Sequence, residues 1–123
     1  MEELLHYVWK HKLFTLKPLQ TTDGQPIEII DPGLANMHAG PDFFNAKIKI
    51  NDVTWVGNIE IHQQASDWFR HNHHLDPTYD SVILHVASDI DAVPTRSNGE
   101  IIPQMELHLS LIHISEPTRH SLI

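Results

Sequence analysis

The sequence predicts a single α/β domain in which a mixed sheet is built around a central β-hairpin and flanked by helices. Three observations carry that expectation. Phe44, Ala46, Ile48 and Ile50 alternate with Asn45, Lys47 and Lys49, the two-residue period of a half-buried strand. After the turn residues Asn51-Asp52, the stretch Val53 to Ile61 repeats the alternation, with Val53, Trp55, Ile59 and Ile61 on one face. Ser81 to Ala87, SVILHVA, is a near-continuous apolar run of strand length, as expected of a central strand buried on both faces.

The remaining elements follow in order. Between Met1 and Lys10, Leu4, Leu5, Val8 and Trp9 share one side at helical spacing, with Glu2 and Glu3 in the first turn where the helix dipole favours anions. His11 to Thr22 has no period and contains Pro18, and Asp23-Gly24 signals a turn. Pro26 opens a strand over Ile27 to Ile30, closed by Asp31-Pro32-Gly33, and Leu34 to Gly40 reads as a loop leading to Pro41-Asp42. Beyond the hairpin, Ser66 to Arg70 is expected as a short helix ended by the His-rich stretch Asn72 to Thr78. Asp89 to Gly99 reads as loop, and Ile101 to His108 as a further strand interrupted by Pro103.

Composition narrows the function. A chain of 123 residues, 41 % apolar and 20 % charged, holds one core, and no apolar run approaches the roughly 18 residues of a membrane span. The amino terminus lacks the basic region, apolar core and small-residue cleavage site of a secretory signal, so a soluble, cytoplasmic protein is expected. With no cysteine there is no disulfide, Cys-ligated zinc or Cys nucleophile. A formal charge of -8 argues against nonspecific binding of polyanions, but it is compatible with acidic residues that hold a metal against a phosphate. Five of the eleven histidines, His62, His71, His73, His74 and His85, fall in one short interval.

Asp42 precedes the first hairpin strand and Glu60-Ile61-His62 ends the second. Two carboxylates at one end of a hairpin can bind Mg²⁺ or Mn²⁺ and leave positions open for water and a phosphate, and His62, two residues past Glu60, shares its face and can act as base or ligand. In a regular hairpin Asp42 falls on the face opposite Glu60 and His62, so this reading predicts an irregular ladder, with a bulge near Gly57 or a strong twist at the strand end. The same residues admit a plainer reading, in which Asp42 caps a turn and Glu60 faces solvent. His62, His71, His73 and His85 form an alternative Zn²⁺ ligand set in composition, although exposed loop histidines commonly do nothing specific, and His85 also fits a hydrogen-bonded core position. Trp55 and Trp68 are expected in the core, and Lys47 and Lys49 on a solvated face.

The runs IEIIDPG, GPDFFNAKIKI, GNIEIH, SDW, HNH and YDSVILHV closely resemble a bacterial family seen chiefly in Bacteroidetes, domain of unknown function 2851, over Met1 to His108. Members of that family are considerably longer, which implies a missing carboxy-terminal part as a partner of the visible domain. In agreement, Leu109 to Arg119, LSLIHISEPTR, looks like the translation of a sequencing-library adapter, so residues 109–123 are expected to be non-native and residues 1–108 to form the domain. Pro41-Asp42 and Glu60-Ile61-His62 also resemble the motif of the PD-(D/E)XK nucleases. That resemblance implies a restriction-endonuclease-like core, a nucleic-acid phosphodiester as substrate and catalytic roles for Asp42, Glu60 and His62, with His62 in place of the usual lysine and Glu2 or Glu3 as a helix carboxylate. A non-catalytic binding domain on the same fold is the alternative.

Overall fold

The computed structural model describes residues 2–13 and 18–108, and the tail expected to be non-native lies outside them. The described elements run α1 (Glu2–Lys10), β1 (Leu19–Gln20), β2 (Pro26–Asp31), β3 (Leu34–Ala35), β4 (Phe43–Ile50), β5 (Val53–Gln64), α2 (Asp67–Arg70), two 3-10 turns (His73–Leu75 and Pro77–Tyr79), β6 (Val82–Asp89) and β7 (Gln104–Glu106). The mixed sheet around the hairpin is present, but the described residues contain only two short helices and are mostly β. Its strand order is β1-β2-β4-β5-β6-β7, with β3 beside β4. The pairs from β1 to β5 are antiparallel, whereas β5-β6 and β6-β7 are parallel. The sheet curls into a nearly closed, barrel-like form, in which the Thr22 N–H donates to the Gln104 carbonyl (2.7 Å) and so links the two ends of the strand order. No helix among the described residues is long and apolar enough to cross a membrane.

The main core follows from two periods. Leu5, Val8 and Trp9 of α1 are fully buried at the i, i+3, i+4 spacing, and the Trp9 indole N–H donates to the Pro32 carbonyl (2.9 Å). They pack with Ile27, Ile29, Ile48, Ile59 and Ile61 of the sheet. Leu4 lies at the margin of the stripe and is 36 % exposed. The run at 81–87 forms β6, buried from Val82 to Ala87 as expected of a strand flanked by parallel neighbours. On the other side of the sheet α2 is anchored by Trp68, which packs on Val82 and Ile102 and donates its indole N–H to the Thr95 carbonyl (2.8 Å).

Four expectations are corrected. Phe43, not Phe44, enters the core: β4 pairs Phe43 with Ile59 but Ala46 with Gly57, so β4 carries one extra residue and its face alternation slips there. Asn45 takes φ +57° in this bulge and its N–H donates to Asn58 Oδ1 (3.2 Å). Trp55 and Val53 are about half exposed, because with Ile50, Val93, Ile101 and Gln104 they line an open cleft of about 520 Å³ instead of meeting a covering layer. Leu34–Ala35 is a short strand beside β4, and the His-rich stretch forms 3-10 turns where a loop was expected.

The bulge is held closely from outside. Gly33 has φ +91°, and a Cβ there would lie 2.6 Å from the Phe44 carbonyl oxygen. Gly24 has a similar φ of +87° but nothing within 4 Å. Gly24→Ala is therefore expected to cost only the left-handed strain, about 1–2 kcal/mol. Gly33→Ala adds overpacking against backbone, about 1–3 kcal/mol more. Urea midpoints at unchanged slope check this, and equal midpoints for the two variants would show that the bulge yields freely.

Candidate metal centre

Side-chain alternation on β5 sends Ile59 and Ile61 into the main core and Glu60 and His62 to the opposite face. Both polar side chains are nevertheless buried, Glu60 at 4 % exposure and His62 at 1 %. The bulge in β4 brings Asp42 to them. The Asp42 N–H donates to Glu60 Oε1 (3.1 Å), and the Ile61 N–H donates to Asp42 Oδ2 (2.8 Å). The ladder is irregular, as a meeting of Asp42 with Glu60 requires, and the extra residue lies in β4 across from Gly57.

The crossover from β5 to β6 supplies the histidines. Asn72, at φ +58°, lets the chain reverse after α2, and the following 3-10 turn folds His73 back over the sheet. His73 is 7 % exposed and stacked on Tyr79, with ring centroids 3.7 Å apart and planes at 19°. Glu60 Oε2 lies 3.2 Å from His62 Nε2 and 3.1 Å from His73 Nε2. The second contact is close but poorly aligned, so His73 Nε2 is buried without a hydrogen bond. His71 is exposed, with its ring centroid 5.1 Å from that of His62 and 5.5 Å from that of His73. One ring nitrogen from each of His62, His71 and His73 lies within 4.8 Å of the others, an arrangement that can hold a metal ion.

The other predicted residues fall around this set. His85 is fully buried and lies behind His62. Its Nε2 is 2.8 Å from His62 Nδ1 and its Nδ1 is 2.6 Å from Gln104 Oε1, so both of its ring nitrogens are engaged away from His71 and His73. His74 packs instead on Phe69. On the other flank, Glu2, His6 and Asp42 form a second group of ligand atoms within 4.8 Å of one another, with His6 Nε2 3.4 Å from Asp42 Oδ2. Sequence reasoning missed His6, Tyr79 and Gln104. His6 alone had a local signal, its i, i+4 spacing from Glu2 on the helix, whereas Tyr79 and Gln104 arrive through the tertiary fold.

Burial and neighbouring charges push the two carboxyls in opposite directions. At Glu60 burial favours the neutral acid, but the His62 and His73 imidazoles outweigh it and hold the group down at about 2. At Asp42 burial prevails over the neighbouring His6 imidazole, and the carboxyl is raised. The Asp42 carboxylate in turn raises His6 against the opposing effect of burial. Burial, then the charges of Glu60 and Asp42, raise Tyr79 to about 12.

Burial lowers His85 to about 4, below its usual 6.5, so the folded protein keeps it neutral while the unfolded chain protonates it. Its contribution to stability is complete above pH 6.5 and is lost as pH falls from there to about 4, on the order of 3 kcal/mol. In chelator-treated protein, urea midpoints between pH 7 and pH 4 are expected to fall more steeply for the wild type than for His85→Gln. Parallel slopes would show that His85 does not contribute to this dependence.

Nothing among curated proteins matches this chain, and nothing among solved structures does. A family model described as a protein of unknown function (DUF2851) matches residues 2–120, a span that includes the sheet and every residue of the centre, and the chain belongs to that family.

Proposed function

We propose that this domain binds a divalent transition-metal ion, best Zn²⁺, through His62, His71 and His73, with the Glu60 carboxylate beside them. The observation that carries this reading is His73 Nε2, a buried ring nitrogen without a hydrogen bond that lies 3.1 Å from the Glu60 carboxylate, on a residue whose imidazole clusters with those of His62 and His71. Buried polar groups are ordinarily satisfied, and a cation among these donors satisfies all of them together. Three imidazoles and one carboxylate suit Zn²⁺, whereas Mg²⁺ takes oxygen ligands. Exposed His71 leaves the centre approachable from solvent, which fits a hydrolytic role in which the metal supplies an activated water or polarises a phosphoryl oxygen.

A second reading, a PD-(D/E)XK-like nuclease holding Mg²⁺ or Mn²⁺ at Asp42 and Glu60, is supported by the meeting of those carboxylates at the bulge. The succession of helix, antiparallel strands, helix and parallel strand also agrees with that resemblance. In this reading nucleic acid is the substrate and His62 is base or ligand. The nitrogen-rich donor set favours the first.

Calorimetric titration of the chelator-treated chain with Zn²⁺ and, separately, Mn²⁺ distinguishes them. Zn²⁺ binding is expected, and His71→Ala or His73→Ala should weaken it by more than the about 10–100-fold that loss of an outer partner costs. Asp42→Asn should leave it nearly unchanged. Mn²⁺ binding abolished by Asp42→Asn, without Zn²⁺ binding, would replace this reading with the nuclease-like one. Binding of neither metal would leave a non-catalytic domain.

A further inference from the structure

We infer that Gln104 and His85 are positioning residues which lock His62 in the Nδ1–H tautomer, so that Nε2 is the nitrogen it presents to the metal; this rests on the metal centre proposed above. Glu60, His85 and Gln104 stand in one row across three parallel strands, and His62 follows two residues along β5 on the same face as Glu60. Glu60 and His62 of β5 pair with His85 and Ala87 of β6, and His85 pairs with Gln104 of β7.

The proton positions follow one from another. Gln104 is 3 % exposed, and its amide Nε2 donates to the Ala92 carbonyl (3.0 Å). A carbonyl oxygen can only accept, so this contact fixes the orientation of the amide and turns Oε1 toward His85. Oε1 is likewise an acceptor, so His85 Nδ1, 2.6 Å away, carries the hydrogen. His85 is fully buried, with Trp68 edge-on at 5.2 Å, and burial favours the neutral ring. Neutral His85 with Nδ1–H has a lone pair on Nε2, which accepts from His62 Nδ1 at 2.8 Å.

His62 is thereby left with its Nε2 facing Glu60 Oε2 at 3.2 Å. A lone pair opposed to a carboxylate oxygen at that distance requires a proton or a metal ion between them. The relay therefore directs the ligand nitrogen before the ion arrives. Metal-bound histidines commonly use their second nitrogen in this way, with a carboxylate, carbonyl or water as the outer partner. Here that partner is another histidine, itself fixed by an amide.

The test is ¹⁵N NMR of histidine-labelled protein, chelator-treated and Zn²⁺-loaded, together with Zn²⁺ calorimetry. In the metal-free wild type His62 and His85 are both expected to carry a proton on Nδ1. Gln104→Met, of similar length but without an acceptor, should disturb both tautomers and weaken Zn²⁺ binding about 10–100-fold. Gln104→Glu, as the neutral acid that burial favours, keeps a donor toward the Ala92 carbonyl and an acceptor toward His85 and should restore most of the affinity, a rescue that a merely structural role does not predict. Zn²⁺ binding with His62 as the Nε2–H tautomer in the metal-free protein would overturn the relay and leave the metal centre standing. The expected tautomers without any Zn²⁺ binding would overturn the metal centre instead. The wild-type tautomers are read without a variant, so a Gln104→Met protein that fails to fold does not remove the test.

Discussion

The burial of one carboxylate constrains everything around it. Glu60 lies in the middle of the sheet at 4 % exposure, where an unpaired charge would cost several kcal/mol. Its neighbours come from three separate parts of the chain: the Asp42 backbone at the entry to β4, His62 on its own strand, and His73 from the crossover. Replacing Glu60 by an apolar residue would remove the reason for each of these contacts. The polar cluster is therefore one unit and not a chance collection of histidines.

Two local irregularities make that unit possible. The bulge in β4 moves Asp42 onto the face of Glu60, and the left-handed Asn72 turns the crossover back so that His73 reaches Oε2. Neither departure helps the regular hydrogen bonding of a sheet or helix. Such departures tend to persist where surrounding structure holds them and where they re-aim a side chain. Gly33, where an added Cβ would meet the Phe44 carbonyl, is part of that support.

Much of the sheet was legible because period and length are robust signals. The hairpin, the α1 stripe and the buried strand at 81–87 all emerge from alternation, helical spacing or an apolar run. The bulge was legible only as a condition for Asp42 to meet Glu60, and its place in β4, which shifted the core position from Phe44 to Phe43, was not, since an extra residue leaves composition unchanged. Trp55 was misread because apolar character does not reveal whether a neighbouring layer exists to cover it. At the site, Asp42, Glu60 and His62 stood out by position, and the His-rich stretch by composition. The division of the histidines into a converging set of His62, His71 and His73 and a rear His85 required the fold. The part of Gln104 had no sequence signal at all, because the amide matters only through the ring it faces.

Gln104 also ties chain order to the centre. Its main-chain carbonyl closes the seam with Thr22, while its side chain ends the relay behind His62. By the time residue 87 has been synthesised, the nascent chain already contains Glu60, His62, His71, His73 and His85. On this arrangement it has every donor but nothing to aim the first imidazole until β7 docks. The centre is thus completed only after all its donors have been made, by the same edge strand that closes the barrel, and an ion captured earlier would meet histidines of undetermined tautomer.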